Sequence, residues 1–314
     1  MQVDLQDPRP SLLADIDITN CRVEFSNTPI VLLCGGQVKI KNKPDDPDPP
    51  LASLRDAITR RATDYEIFRP EEITSWHADG VYKNLMDFES DLASICSLVV
   101  VVMESAGSLV ELGAFSQLPD FKKKIIAIAS SDFVDDISFI NLGILRYIKE
   151  YGDSRVKSYP WSVANPRAIE GHVVDDVISD IKDELAELKQ SQTFRSHIRA
   201  HEIILICELV RLFHALKEVE ILEYLHSLGL DTSKDNLRSK LFVLMEFRVI
   251  KRVQYSDSTF FMRDHEPFHK IRFSFKSEQQ PDALRLGVEC LEYYSKDPKQ
   301  KHRHRAITRA ASVI

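Results

Sequence analysis

Two glutamates, Glu104 and Glu111, flank a run of small residues, Ser105-Ala106-Gly107-Ser108, in a chain of 314 residues. A positioned carboxylate can attack an anomeric carbon, or stabilise the oxocarbenium-like state through which a glycosidic bond breaks. The pattern Val110-Glu111-Leu112-Gly113-Ala114-Phe115 predicts the first turns of a helix, which puts Glu111 at a helix start. The hydroxyls of Ser105 and Ser108 and the N–H groups near Gly107 would then hold a ribose hydroxyl or a phosphate. Glu104 would position the ribose or the leaving base. An acid in a first helical turn can equally be a dipole-complementing surface charge. The loop before Glu111, and the apolar run before that loop, favour the chemical reading.

Such a loop needs a rigid edge to stand on. Leu98–Val102 is a continuous apolar run with four valines, as expected of a strand buried on both faces. Pro29–Cys34 reads the same way and runs into Gly35-Gly36, a pair that allows close approach of a ligand or simply makes a turn. Tyr65–Phe68, Ile125–Ala129 and Val156–Tyr159 read as further strands. Helices are expected over Leu51–Arg61, Leu85–Ile95 and Asp175–Lys189. Between them, Lys39–Pro50 carries four prolines and three aspartates and must be a loop. Trp76–Tyr82, with His77 and Asp79, reads as a flexible segment, and Phe139–Gly143 as a loop. Strands alternating with helices predict a flavodoxin/Rossmann-like α/β fold, a parallel sheet with helices on both faces. Ligands of such folds sit at the carboxyl ends of the strands. Gly35-Gly36, Arg69–Glu72 (with Pro70 and Glu71), Glu104–Ser108 and Asn141 all fall at such ends.

The pattern changes after Gln190, which divides the chain into domains 1–190 and 191–314. Residues 1–26 read as a lead-in without a clear period. His197–Leu216, Glu220–Leu228 and Lys234–Glu246 read as helices, and Arg248–Tyr255 and Thr259–Arg263 as a hairpin. That order predicts a C-terminal winged helix-turn-helix. Its third helix would present Lys234, Asn236, Arg238 and Lys240, with Asp235 against them, and its hairpin Lys251 and Arg252. These would contact nucleic acid or a protein partner. The closing KQKHRHRAITRAASVI reads as a mobile basic tail. Its Lys299, Lys301, Arg303, Arg305 and Arg309 would either contact phosphates or be solvated.

A net charge of −7 argues against coating nucleic acid by bulk charge, though not against a local basic face. No apolar run reaches the roughly 20 residues that span a bilayer, and the opening residues have no secretory pattern, so no membrane association is expected. Cys21, Cys34, Cys96, Cys207 and Cys290 form neither a CxxC pair nor a zinc pattern. We therefore expect a cytoplasmic protein with no cofactor and no metal.

The run Glu104-Ser105-Ala106-Gly107-Ser108-Leu109-Val110-Glu111-Leu112-Gly113-Ala114-Phe115-Ser116 resembles the ES-x-GS-x-x-ELGAFS signature of retron-associated effectors. Those proteins are similar to nucleoside deoxyribosyltransferases. Leu33–Gly36, the Phe68-x-Pro70-Glu71 pattern and Ser138-Phe139-Ile140-Asn141-x-Gly143 follow the same family in the same order. The resemblance covers roughly residues 28–160, and the C-terminal region matches in general layout. It implies an N-glycosidase or base-exchange enzyme with Glu111 as nucleophile, acting on a nucleotide or NAD-like substrate or on a base in a polymer. It implies the toxic arm of an anti-phage system, held inactive by a reverse transcriptase and its RNA–DNA product, msDNA. Glu89 resembles the position of a base-binding acid, and is otherwise an exposed helix charge. The transferases carry an aspartate a few residues before the nucleophile. Here the nearest acid is Glu104, seven residues upstream, with Ser105 at six, so hydrolysis is expected over transfer. Related transferases complete their sites across subunits, which allows a homo-oligomer, with Asn141 the residue of interest. The alternative is a non-catalytic nucleotide-sensing, DNA-binding regulator.

Overall fold

The computed structural model describes the whole chain except residues 1–5, 27, 42, 44, 74–79, 119–120, 134–136, 267–268, 278–282 and 312–314. The expected flexible segment Trp76–Tyr82, with His77 and Asp79, therefore lies mostly outside the described residues. The chain forms two compact units, one of residues 27–78 and 83–188, the other of residues 1–26, 79–82 and 189–314. One division between the units falls after residue 188, and the first 26 residues group with residues 189–314. There α1 (Arg9–Asp15) leads to β1 (Arg22–Phe25), a strand that no clear period announced.

The first-named unit runs β2 (Ile30–Cys34), α2 (Leu54–Thr59), β3 (Glu66–Phe68), α3 (Leu85–Ile95), β4 (Leu98–Val102) and α4 (Ala106–Ser116). It continues with β5 (Ile125–Ser130), α5 (Arg146–Lys149), β6 (Val156–Tyr159) and α6 (Gly171–Ala186). The five strands are parallel, in the order β3-β2-β4-β5-β6. Every residue of β2, β4 and β5 is buried, which is why these strands read as unbroken apolar runs. Val31, Leu33, Val100, Val102, Ile126 and Ile128 pack with Leu54 and Ile58 of α2 and Val173, Val177 and Ile181 of α6. On burying an aliphatic side chain about 1.5–3 kcal/mol is gained, so a layer of this size gives the sheet edge a rigid base. α4 packs against β4 and β5. Strand order reverses between β2 and β4, and the crevice outside their carboxyl ends is where such sheets bind ligands.

The second unit contributes β7 (Ser191–Thr193), α7 (Arg199–Phe213), β8 (Ala215–Leu216), α8 (Glu218–Ser227), α9 (Lys234–Glu246), β9 (Ile250–Tyr255) and β10 (Ser258–Arg263). It ends in β11 (His269–Arg272), α10 (Ala283–Lys296) and α11 (Lys301–Ala311). One antiparallel sheet has the order β11-β1-β7 and another β8-β10-β9. Three helices followed by a hairpin thus occur in the expected order. Two expectations fail here. The basic end is a helix rather than a mobile tail, because Arg303 and Ala306 are buried and Ile307 and Ala310 pack against the cluster of Ala215, Phe260, Met262 and Ala306. Lys240 does not face outward. Leu237, Lys240, Leu241 and Leu244 share the inward stripe of α9, so Lys240 is buried and pairs with Glu202 at 3.2 Å.

Candidate active site

Glu104 follows β4 and is the residue that assembles the crevice. Its Oε1 accepts hydrogen bonds from the amides of Gly36 (3.0 Å) and Arg55 (3.0 Å), and its Oε2 from that of Leu54 (2.7 Å). Both oxygens are thereby taken by backbone, two of the amides coming from the first turn of α2, where donors lack helical partners. Burial pushes this carboxyl up while the three amides pull it down. Glu104 therefore ties together the turns after β2 and β4 and the start of α2. Expected to position the ribose or the leaving base, it instead has both oxygens accepting from backbone amides, and it is not among the residues lining the cavity between α3 and α4.

Gly35 and Gly36 are explained by the same junction. A Cβ on Gly35 would stand 2.9 Å from the Arg55 Cβ, and one on Gly36 2.7 Å from the Ser53 Cβ and 3.1 Å from Glu104. The pair lets α2 approach, and no ligand is needed to account for it. A Gly36→Ala variant is expected to lose about 1–3 kcal/mol of stability by overpacking. The check is the urea midpoint, and an unchanged midpoint would show that α2 can move aside.

α4 begins at Ala106, not near Val110. Ser105 is its N-cap, accepting from the Ser108 amide, and the Ser105 amide donates back to the Ser108 hydroxyl. The Ser105 hydroxyl also donates to the Gly35 carbonyl at 3.2 Å. The two serines are thus engaged in closing a helix end, worth about 1 kcal/mol, and Glu111 stands in the second turn. After β3, Pro70 is buried, and Glu71 pairs with Arg55 at 2.7 Å. Asn141 donates to the Phe133 carbonyl at 2.7 Å. The expected loop there is a π-helical turn, Ile140–Leu145, running into α5.

A cavity of about 440 Å³ opens between α3 and α4. α3 lines it with Leu85, Met86, Glu89 and Ser90, and α4 with Ala106, Gly107, Val110, Glu111, Ala114 and Phe115, with Leu118 beyond. Among the sequence candidates only Glu89, Gly107 and Glu111 line it. Glu89 is buried rather than exposed. Burial, the neighbouring Glu111 and Glu71 push its carboxyl up to about 7, against the pull of Arg55. Glu111 is pushed up by burial and held down by the Cys34 thiol and Arg55. Its Oε2 is buried and has no hydrogen-bond partner among the described residues. Burial also raises the Cys34 thiol, with Glu111 adding to it, so Cys34 stays protonated and serves as a donor. All five cysteines are buried and free.

Sequence reasoning missed the apolar lining, Cys34 and Arg55. Leu85 and Glu89 stand one helical turn apart on α3, as do Gly107 and Glu111 on α4. That spacing was a usable signal, but only knowledge that α3 and α4 are neighbours gives it meaning. The arrangement can do defined chemistry: one acid pushed up to about 7 beside a second acid with an unsatisfied oxygen, in an apolar cavity.

Fold and site define a class, a parallel α/β domain with paired carboxylates at its helix-lined crevice, joined to a second, helix-and-hairpin unit. The chain belongs to the STM3845 retron effector protein family, whose model matches residues 51–252. It is 28% identical over 188 residues to the "Retron Ec73 putative ribosyltransferase/DNA-binding protein" of Escherichia coli, covering 53% of this chain and 57% of that one. It is 29% identical over 130 residues to the Retron Ec86 protein of the same description and organism, covering 40% of this chain and 39% of that one. The chain thus matches only about half the length of these curated relatives. No described helix is long and apolar enough to cross a membrane.

Proposed function

We propose that the chain is the toxic effector of a retron anti-phage system and an N-glycosidase related in chemistry to nucleoside deoxyribosyltransferases. The observation that carries this reading is the unpartnered, buried Oε2 of Glu111 on an apolar cavity shared with Glu89. The Glu111 carboxylate attacks the anomeric carbon. The C–N bond breaks with its electron pair going to the base, and protonated Glu89 gives its proton to the departing nitrogen. Water then cleaves the glycosyl ester, returning a proton to Glu89. Glu104 acts as a positioning residue, holding the turns that carry the site. No lysine or arginine is among the described residues lining the cavity, which suits a base and its ribose better than a phosphate.

The relatives' names, which join ribosyltransferase and DNA-binding, support both halves of the reading. In it α7, α8, α9 and the β9–β10 hairpin act as a winged helix, and a reverse transcriptase with its msDNA holds the enzyme inactive. The substrate is a nucleotide, an NAD-like dinucleotide or a base within a polymer. The test is mass spectrometry of the nucleotide pool after induction of the chain without its partners. Accumulated free base or nicotinamide is the expected result and names the bond cleaved. An unchanged pool, with no abasic sites in nucleic acid, would sink the glycosidase reading.

A further inference from the structure

The cations expected to meet nucleic acid are largely engaged within their own unit. Lys234 (3.9 Å) and Arg238 (3.0 Å) both face Glu218, with Asp235 beside them on α9. Lys240 is buried on Glu202, and Lys251 pairs with Asp264 at 3.1 Å. The outer face of α9 is thus close to electrically balanced.

α11 is different. Its inner side is fixed by Arg303, which donates to the Ala215 carbonyl and to Glu220, bonds Gln300 at 2.9 Å, and lies over the rings of Phe260 and Tyr294. This buried cation is an anchor, so it cannot reach a phosphate. Its ion pair with Glu220 holds the helix in one rotation about its axis. The opposite side presents Lys301, Arg305 and Arg309, all exposed, and the helix contains no acidic residue. The polar contact of Arg305 is the neutral Tyr255 hydroxyl at 3.5 Å, which leaves its charge uncompensated. Lys301 makes no ion pair among the described residues. Positions 301 and 305 stand one four-residue step apart, about 6 Å along one helix face. That spacing is of the order of the distance between successive phosphates on one nucleic-acid strand. The outer face carries no large apolar side chain of the kind an amphipathic helix inserts into lipid. In a chain of net charge −7, a polyanion is drawn to such a face rather than to the whole surface.

We propose that the outer stripe of α11, through Lys301 and Arg305, tracks the phosphate backbone of a nucleic acid, in place of the α9 face. The placement rests on the nucleic-acid half of the reading above and is independent of the glycosidase half. The experiment measures binding of the full chain to a short fluorescein-labelled DNA duplex by anisotropy over a series of salt concentrations. A Lys301→Glu/Arg305→Glu double variant is expected to bind about tenfold or more weakly, with a salt dependence shallower by about two ions. A Lys234→Glu/Arg238→Glu variant is expected to stay within about threefold of wild type. The milder Lys301→Gln/Arg305→Gln variant, with an unchanged melting temperature, keeps the test clear of misfolding. Equal loss in the α9 variant, or wild-type binding by the α11 variants, overturns the placement. Displacement of the duplex by polyglutamate at equal charge would assign the stripe to acidic proteins and also overturn it. A wild-type chain that fails to bind the duplex at low salt removes both the placement and the nucleic-acid half, while base release remains a separate readout.

Discussion

A Glu111→Gln variant is expected to release base at least about 10³-fold more slowly than the wild type, with the loss in kcat rather than KM. The substitution keeps the shape of the side chain but replaces a carboxylate oxygen by an amide that cannot form a stable glycosyl ester. It also removes the negative charge that helps to hold Glu89 protonated. Because Oε2 of Glu111 has no partner among the described residues, no hydrogen bond of that oxygen is lost, and the fold should survive. In cells the variant should be harmless when expressed without partners. If it proves as toxic as the wild type, the enzymatic reading fails and the nucleotide-sensing, DNA-binding regulator takes its place.

A Glu89→Gln variant is expected to lose about 10²–10⁴-fold in rate, the range ascribed to general acid–base catalysis. The loss should be smallest for substrates whose base leaves without protonation. In the wild type, activity should fall as pH rises through about 7, where Glu89 gives up its proton. The variant has no such proton to lose, so its profile should be flat on the alkaline side. Stability carries the same signature. A carboxyl raised on folding keeps a proton that the unfolded chain has already lost, so stability declines as pH climbs from the ordinary carboxylate value to about 7. The size is up to roughly 3 kcal/mol. Urea midpoints near pH 5 and near pH 8 should differ more in the wild type than in the variant. An alkaline limb that persists in the variant would assign the titration to another group.

Parts of this molecule were legible in one dimension because their physics is local. β2, β4 and β5 lie where their apolar runs place them, since a strand buried on both faces needs no polar residue along it. α9 spans Lys234–Glu246 as its pattern predicts, and the Ser233 side chain caps it by accepting from the Asn236 amide. α4 was misplaced at its start because Ser105-Ala106-Gly107-Ser108 reads as loop. The reciprocal Ser105–Ser108 bonds convert it into a first turn.

The candidate site divides along the same line. From sequence alone came the acids, the strand-end positions and the order of elements, because residue type and period are written in the chain. Which acid faces the cavity was decided only by the tertiary structure. The family resemblance set Glu111 apart as nucleophile, but nothing in the sequence showed that backbone amides would hold Glu104. The partners of Glu104 are backbone amides 49, 50 and 68 residues away, and amides leave no mark in residue identity. Glu89 reads as a surface charge until α4 lies beside α3 and desolvates it. Arg303 and Lys240 read as free cations until their carboxylates, Glu220 and Glu202, arrive from other helices. Charge is local to a residue, but whether that charge is buried, paired or available depends on contacts between segments distant in the chain.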